Sequence, residues 1–182
     1  MSSEDYNPWK LIASKTAYEN NWIEVQHQDV ITPAGNPGIY GVIHFKNLAI
    51  GIIPLDENNN TWIVGQFRYP LKKYTWEIPE GGGKIGVDPI DSAKRELQEE
   101  CGIIAHHWEK ILEMDLSNSA TDEKAILYVA RNLEFTESEP EETEDLQVKK
   151  VPFDTLFQMV MTGEITDAMT IAAVLKLKLL LS

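Results

Sequence analysis

The chain of 182 residues has the length of one domain with a full hydrophobic core. Apolar residues make up 43% of it and charged residues 25%, which is the usual balance of a soluble globular protein. The formal net charge of −13 argues against nucleic acid or an anionic membrane as a partner, because both would be repelled. A small anionic ligand would need bound cations to offset the same charge.

The cysteine content and both ends of the chain favour a cytoplasmic protein. Residues 1–10 are polar and lack the apolar segment of a signal peptide. The one cysteine, Cys101, cannot form a disulfide framework within the chain, which fits a reducing compartment. The apolar stretch 171–181 is too short to span a membrane and contains Lys176 and Lys178.

The N-terminal half is predicted to consist mainly of strands, after a mobile arm at residues 1–14. Its apolar patterns predict five strands: 16–30, 38–45, 48–55, 61–69 and 74–78. A turn rich in proline and glycine at 32–37 separates the first two strands, and an acidic, asparagine-rich turn at 56–60 precedes the fourth.

The C-terminal half alternates strands with helices. Strands are predicted at 107–116, 124–131 and 146–153, and helices at 89–101, 154–162 and 167–181. This alternation predicts an α/β fold, with a mixed sheet and helices packed on it. We expect one domain that covers residues 1–182.

The stretch from Trp76 to Ile103 carries the strongest local signals. It passes from a strand through a glycine-rich loop into the helix at 89–101. Asp88 is the predicted N-cap, and Pro89 suits the first helical position because its missing N–H is not needed there. Gly102 can end the helix in the left-handed conformation.

This helix presents a row of carboxylates. Glu96 and Glu100 are four residues apart and share one face of the helix. Glu99, three residues after Glu96, lies beside that face. Their like charges repel, and a cation such as Mg²⁺, which prefers carboxylate oxygens, removes that repulsion. Arg95 precedes Glu99 by four residues and can hold its side chain through a forked contact. The pattern predicts a metal site; the alternative is a solvated helix face with an Arg–Glu pair.

The glycine-rich loop lies directly before this helix. Gly81 and Gly82 allow the backbone to approach a ligand closely, so we predict that they bind substrate. A backbone carbonyl of the loop can also face the metal, and Glu80, which precedes the glycines, is included among the candidate metal ligands.

The same stretch resembles the Nudix box, the metal-binding loop and helix of Nudix hydrolases, whose pattern is G-x5-E-x7-R-E-U-x-E-E-x-G-U with U a bulky aliphatic residue. Here the pattern runs without a gap from Gly81 through Arg95 to Ile103. One position departs, because Val87 stands where the pattern has its first glutamate. In the family that glutamate mainly supports the loop and the helix arginine, so no residue that typically ligates metal is lost.

The resemblance implies a Nudix α/β/α sandwich with a mixed sheet plus N-terminal antiparallel strands. It also implies a Nudix pyrophosphohydrolase that acts on phosphorus-containing acid anhydrides and uses Mg²⁺, with Mn²⁺ as an alternative. Two or three cations on Glu96, Glu99 and Glu100 can lower the pKa of a bound water and clamp a diphosphate. Arg95 and Glu99 are counted with the catalytic residues.

An acidic run between Asn132 and Leu146 supplies the remaining acidic candidates. By default such a run is a solvated loop, and Glu137 and Glu139 are assigned to its solvated part. The chain also resembles enzymes that cleave ADP-ribose and related sugars, which carry an E-x-E-D motif in this region. By that match Glu142 is the general base and Glu144 a further metal ligand, with a shift of one residue to Glu141 left open.

The N-terminal half resembles the same ADP-sugar branch. Trp22 is predicted to stack on a base, and Arg68, within the segment 66–69, is predicted to bind a phosphate. The alternatives are a core position for Trp22 and an ion pair with a neighbouring carboxylate for Arg68. In this branch the strands that correspond to residues 15–47 often cross to a partner subunit, which predicts a homodimer. A monomer that folds these strands back fits equally well.

Three functions are consistent with these observations. The leading prediction is Mg²⁺-dependent hydrolysis of nucleoside diphosphate sugars, such as ADP-ribose, to a nucleoside monophosphate and a sugar phosphate. The loop 116–123 lacks the proline of enzymes dedicated to ADP-ribose, which favours a broader substrate range. One alternative is a hydrolase that removes nucleoside triphosphates. The N-terminal strands argue against this alternative, because such enzymes usually lack them. The other is a catalytically weak nucleotide-sugar sensor, for which Val87 is the only support.

Overall fold

The computed structural model describes residues 6–138 and 146–181, which contain ten strands and three helices. The strands are β1 (Lys10–Glu19), β2 (Ile23–Ile31), β3 (Pro37–Phe45), β4 (Asn47–Pro54), β5 (Asn60–Arg68), β6 (Lys73–Glu77), β7 (Glu80–Lys84), β8 (Ile103–Asp115), β9 (Lys124–Phe135) and β10 (Gln147–Pro152). The helices are α1 (Pro89–Cys101), α2 (Phe153–Met161) and α3 (Ala168–Leu180). This order confirms the predicted α/β class.

The chain divides into two compact units. The first contains the residues up to Asn47 together with Asp115–Glu123. The second contains Leu48–Met114 and the residues from Lys124 onward. The organisation of residues 1–182 as one domain stays a prediction.

The first unit is built on the antiparallel sheet β1-β2-β3, whose bounds correct two predictions. Residues 10–14, assigned to a mobile arm, begin β1 because their backbone pairs with β2. The single strand predicted at 16–30 is two strands, since a turn interrupts it. There the Asn20 side-chain oxygen accepts hydrogen bonds from the amides of Trp22 and Ile23, both at 2.8 Å.

The segment Asp115–Glu123 belongs to this unit and is held against the end of β3. The Asp122 carboxylate accepts a hydrogen bond from the Phe45 amide at 2.9 Å and lies 2.7 Å from His44 Nδ1. The charge and hydrogen bond of His44, with the Phe45 amide, outweigh partial burial and lower the pKa of Asp122.

The second unit contains most of the buried core. Its four-stranded sheet has the order β7-β4-β9-β8, in which β4 and β9 run parallel with Ile52 opposite Tyr128. A three-stranded antiparallel sheet has the order β10-β5-β6. Ile50, Ile52 and Leu97 are fully buried in one core cluster. The continuous apolar run at 48–55 therefore forms a central strand, as such runs do in parallel sheets.

Strand β7 is absent from the sequence-based expectation, which treated its residues as loop. The segment lies at the edge of the four-stranded sheet, beside β4. The strand could not be predicted from the sequence because three of its residues are glycines, which have low strand propensity. Gly83 shows why glycine is needed, since a Cβ there would lie 2.9 Å from Ile50 Cγ1 in the core.

Helix α1 has the ends that the sequence predicts. The Asp88 side chain accepts a hydrogen bond from an amide of the first turn, Pro89 begins the helix, and Gly102 ends it with φ 61°. Helix α3 begins after Asp167, whose carboxylate accepts from the Thr170 amide at 2.6 Å. Among the described helices, none has both the length and the apolar character needed to cross a membrane.

Candidate active site and metal centre

The carboxylates predicted to bind metal lie on α1. Glu96 is 8% exposed and Glu100 is 3% exposed, whereas the Glu99 side chain is 31% exposed. Glu100 Oε2 accepts a hydrogen bond from the Glu80 amide at 3.0 Å, which ties the start of β7 to the helix. Burying two carboxylates is unfavourable unless hydrogen-bond donors or a cation stabilise their charge.

Gly81 leaves the room that one of these carboxylates occupies. A Cβ at Gly81 would lie 1.9 Å from Glu96 Cδ and 2.2 Å from Glu96 Oε1, so a larger residue there would displace the carboxylate. The carbonyl of Gly82 accepts a hydrogen bond from Arg95 Nη2 at 3.0 Å. Both glycines therefore contact side chains of α1, and their contact with substrate stays a prediction.

Arg95 connects β7 to two carboxylates of α1. Its Nη1 donates to Glu99 Oε2 and its Nη2 donates to Glu96 Oε1, both at 2.6 Å. Burial alone would lower the pKa of Arg95, but the charges of Glu96 and Glu99 outweigh burial and raise it. Arg95 is thus a permanent cation that orients both carboxylates, which includes the contact with Glu99 that the four-residue spacing predicts.

A second acidic cluster lies beside the loop. Side-chain oxygens of Glu77, Glu80 and Asp167 come within 4.8 Å of one another, the only such trio of potential metal ligands within the described ranges. The sequence singled out Glu80 alone. Glu77 belongs to β6 and Asp167 precedes α3, ninety residues later in the sequence, so no spacing rule connects them. The one sequence signal for Asp167 is its position at the start of a predicted helix.

Arg68 is paired with this cluster. Its Nε donates to Glu77 Oε2 at 3.2 Å, its Nη2 contacts Glu77 Oε1, and Nη2 lies 3.8 Å from Glu80 Oε2. Gln66 Nε2 donates to the same Glu77 carboxylate at 2.9 Å. The structure therefore contains the ion pair that the sequence offered as the alternative for Arg68. Binding of a phosphate by Arg68 stays a prediction.

The cluster has three carboxyl groups beside one guanidinium, that of Arg68. Burial raises the pKa of Glu77, although the hydrogen bond and charge of Arg68 act in the opposite direction. Burial, and then the charge of Asp167, raise the pKa of Glu80 well above its ordinary value. A proton or a cation shared within the cluster therefore lowers its electrostatic free energy.

Trp22 and Val87 are both exposed. Trp22 is 65% exposed, so it is not a core residue, and its stacking on a base stays a prediction. Val87 is 45% exposed in the turn after β7, where its amide donates to the Lys84 carbonyl at 3.2 Å.

The acidic run is described only in part. Glu142 and Glu144, predicted as general base and metal ligand, and the alternative Glu141 lie outside the described residues. Glu137 is described, and it lines a cavity of about 210 Å³ together with Arg95, Gln98 and Glu99. Sequence reasoning placed Glu137 in the solvated part of the run and missed this position beside the helix.

The side chains of α1 have the donor chemistry for a divalent cation, but the structure does not gather the oxygens of Glu96, Glu99 and Glu100 within 4.8 Å of one another. Ligation of one cation by all three therefore requires their side chains to move. Their donor atoms are carboxylate oxygens, the ligands that Mg²⁺ and Mn²⁺ prefer. The space beside Gly81 admits the Glu96 carboxylate, and the burial of Glu96 and Glu100 limits screening of their charge by solvent. Glu96, Glu99 and Glu100 would hold the cation, with Glu80 beside them.

Two family models match the chain. The model described as the NUDIX domain matches residues 45–172, well over half of the sequence. The chain belongs to the Nudix family. The model described as the nucleoside diphosphate sugar hydrolase N-terminal domain matches residues 9–43, which include β1 and β2. The resemblance carried by the Nudix box residues is thereby confirmed.

Several named relatives are similar to this Nudix chain over most of its length. The ADP-ribose pyrophosphatase of Mycobacterium tuberculosis is 29% identical over 180 residues, which cover 96% of this chain and 84% of that protein. The ADP-ribose pyrophosphatase of Bacillus subtilis is 29% identical over 172 residues, covering 93% and 92%. The methanol dehydrogenase activator of Bacillus methanolicus is 30% identical over 172 residues, with the same two shares.

A solved structure supports the fold. The crystal structure of an ADP compounds hydrolase matches with a TM-score of 0.86 and 18% identity, covering 98% of this chain and 97% of that one. The predicted Nudix α/β sandwich with a mixed sheet is thereby confirmed.

Proposed function

We propose that this Nudix protein hydrolyses the pyrophosphate bond of ADP-ribose or a related nucleoside diphosphate sugar. The products are a nucleoside monophosphate and a sugar phosphate. The observation that carries the proposal is the buried carboxylate pair Glu96 and Glu100, held beside Gly81 and the Glu80 amide and oriented by Arg95. The match of residues 9–43 to the nucleoside diphosphate sugar hydrolase model and the names of two relatives support this substrate class.

The metal is Mg²⁺ in this proposal, with Mn²⁺ as an alternative. When bound, such a cation lowers the pKa of a coordinated water and neutralises charge on the diphosphate oxygens. Glu96, Glu99 and Glu100 hold it, and Glu144 contributes a further ligand. Arg95 keeps Glu96 and Glu99 in their orientation through its two 2.6 Å hydrogen bonds.

Proton transfer is assigned to Glu142. A carboxylate that binds a cation is a poor base, because the cation stabilises its charged form. A base on a separate segment of the chain avoids that conflict. Only if no residue of the acidic run is the base does Glu99 become the next candidate, and it would then not be a ligand of the cation. A positioned base contributes about 10²- to 10⁴-fold to the rate.

Arg68 and Trp22 are assigned to substrate binding. Arg68 contacts Glu77 through Nε and Nη2, and within the described residues its Nη1 has no hydrogen bond or ion pair, so that edge of the guanidinium is available for a phosphate oxygen. Glu77 thereby fixes the orientation of Arg68. Trp22 presents an exposed indole ring, which suits stacking on a nucleobase.

The quaternary structure in this proposal is a homodimer formed through the first unit, in the cytoplasm. All ten residues of β1 are exposed, including Leu11 at 60% and Ile12 at 64%. Exposed apolar residues on an edge strand favour pairing with another chain. A single mass corresponding to the monomer, measured by light scattering at micromolar concentration with full activity, would exclude this arrangement.

One experiment tests the proposed reaction against its alternatives. The protein is incubated with Mg²⁺ and ADP-ribose, ADP-glucose, GDP-mannose, UDP-glucose or nucleoside triphosphates, and the products are identified by ³¹P NMR. We expect a nucleoside monophosphate and a sugar phosphate from at least one nucleotide sugar, faster than any cleavage of triphosphates. Preferred release of pyrophosphate from triphosphates would favour the triphosphate hydrolase. Binding of nucleotide sugars without turnover would favour the sensor.

A further inference from the structure

The chain that leaves β9 crosses the C-terminal end of α1. The Thr136 amide donates to the Gly102 carbonyl at 2.8 Å. A Cβ on Gly102 would lie 2.4 Å from the Thr136 carbonyl oxygen and 3.1 Å from the carbonyl carbon of Glu137. Glycine at 102 is therefore needed twice, for the left-handed helix end and for this close crossing. The crossing fixes the backbone of Glu137 beside the helix.

Glu137 lies near residues of α1 beside the proposed cation site. It lines the cavity of about 210 Å³ together with Arg95, Gln98 and Glu99, which all belong to α1. In the described part of the chain, no hydrogen bond or ion pair involves the Glu137 carboxylate. Among those residues this carboxylate has no partner, and it lies near a guanidinium that already contacts two carboxylates and the Gly82 carbonyl.

Arg95 would compete with a cation for those two partners. Both of its 2.6 Å contacts are with Glu96 and Glu99, which are the carboxylates assigned to the cation. A cation that draws oxygens of Glu96 and Glu99 toward itself weakens their contacts with Arg95 and also repels the guanidinium. A partly buried guanidinium that loses its counter-charge is unstable unless another carboxylate replaces it.

We propose that Glu137 is a positioning residue that accepts the Arg95 guanidinium when a divalent cation takes Glu96 and Glu99. The Nη1 donor passes from Glu99 to Glu137, and Glu99 becomes available as a ligand. Glu137 acts through Arg95 and binds neither the cation nor the substrate. The inference rests on the cation site of the proposed function but not on the identity of the substrate.

The test measures metal binding and uses a double-mutant cycle. Mn²⁺ affinity is determined by electron paramagnetic resonance for the parent, Glu137→Gln, Arg95→Gln and the double variant. We expect Glu137→Gln to weaken Mn²⁺ binding by about two- to fivefold, the range that a partly exposed ion pair supports. In the Arg95→Gln background the same change should have no further effect, because the residue through which Glu137 acts is gone. Arg95→Met, which also removes the charge, provides a second background if Arg95→Gln does not fold.

The matched control is Glu134→Gln, which removes a carboxylate from the same strand exit, where Glu134 contacts His106 instead of α1. It should leave Mn²⁺ affinity unchanged. Metal-free thermal unfolding of Glu137→Gln should match the parent, since the residues that the structure describes offer its carboxylate no hydrogen bond or ion pair. If Glu137→Gln lowers Mn²⁺ affinity equally with Arg95 present and with Arg95→Gln, the inference is overturned, because Glu137 would then act on the cation directly. It is also overturned if Glu137→Gln does not lower Mn²⁺ affinity at all, or if the parent does not bind Mn²⁺. Failure to hydrolyse nucleotide sugars, with this binding pattern intact, would overturn only the substrate assignment.

Discussion

The carboxylate of Glu96 occupies the space that a side chain on Gly81 would need. A Cβ on Gly81 would lie 1.9 Å from Glu96 Cδ, far inside the van der Waals contact distance, and 2.3 Å from Glu96 Oε2. Gly81 of β7 and Glu96 of α1, fifteen positions apart in the sequence, therefore depend on each other. The Glu96 carboxylate can be buried only because β7 carries no side chain at position 81.

Gly81→Ala should consequently displace the Glu96 carboxylate. The atoms that the new Cβ meets are the end of a flexible side chain, so the fold should lose little stability, while the loss of ligand geometry should lower turnover by orders of magnitude. The control is Gly41→Ala on β3, because a Cβ on Gly41 meets nothing within 4 Å. Thermal unfolding, Mn²⁺ titration and turnover of both variants check the prediction. Parental activity in Gly81→Ala would show that Glu96 is not needed where it lies.

Glu100→Gln tests the need for charge rather than shape. The side chain is 3% exposed and accepts a hydrogen bond from the Glu80 amide, which a glutamine oxygen can also accept. Folding should therefore change little, while divalent-cation affinity and kcat should fall by orders of magnitude. Glu109→Gln, an exposed change on β8, should leave both unchanged. Full turnover in the presence of EDTA, or by Glu100→Gln, would contradict a metal-dependent reaction.

The local chemistry of the box helix could be predicted from the sequence, because each signal acts within a few residues. Asp88, Pro89 and Gly102 set the ends of α1 as expected, and the four-residue spacing correctly paired Arg95 with Glu99. These contacts depend only on helix geometry.

Contacts between distant parts of the chain could not be predicted in this way. Asp167 meets Glu77 because α3 begins beside β6, and that arrangement depends on the packing of the whole second unit. Arg68 was correctly considered for an ion pair, but its partner could not be named. Strand β7 was missed because its glycines are required by close packing against neighbours such as Ile50, which the local sequence does not reveal.

Val87→Glu tests whether the one departure from the box pattern matters. Val87 is 45% exposed, so a glutamate fits, while Arg95 already has Glu96, Glu99 and the Gly82 carbonyl as acceptors. An additional carboxylate should therefore change kcat and metal affinity by no more than a few-fold. Ile85→Glu, an exposed change in the same turn, controls for added charge. A gain of several orders of magnitude would mean that the natural protein is catalytically impaired, which favours the sensor.

Asp122→Asn should destabilise the first unit in a pH-dependent manner. The pKa of Asp122 is lowered because the His44 contact and the Phe45 amide outweigh its partial burial. A carboxyl group with a lowered folded pKa stabilises the fold above its ordinary pKa of 3.8, and this contribution is lost as the pH falls through the lower folded value.

The melting temperature of Asp122→Asn should therefore lie below that of the parent at pH 7, and the difference should shrink as the pH falls below about 4. Thermal scans at several pH values measure this difference. Asp115→Asn, an exposed change on the same segment, provides a control. A difference that stays constant across the acid range would show that the Asp122 charge does not contribute.

The last prediction concerns the division of roles between Glu142 and Glu144. The reaction needs a proton acceptor that is not already bound to a cation, and the carboxylates of α1 are assigned to the metal. Glu142→Gln should lower kcat by about 10²- to 10⁴-fold and leave KM nearly unchanged, as expected for the loss of a general base. Glu144→Gln should instead raise the Mg²⁺ concentration needed for half-maximal activity, because it removes a ligand.

Two further variants determine which residue of the acidic run is the base. Glu139→Gln should match the parent in both kcat and the Mg²⁺ requirement, because it is assigned to the solvated part of the run. Inactive Glu141→Gln together with active Glu142→Gln would shift the assignment by one residue. If no single change in the run lowers kcat, the base lies elsewhere, and Glu99 is the next to test.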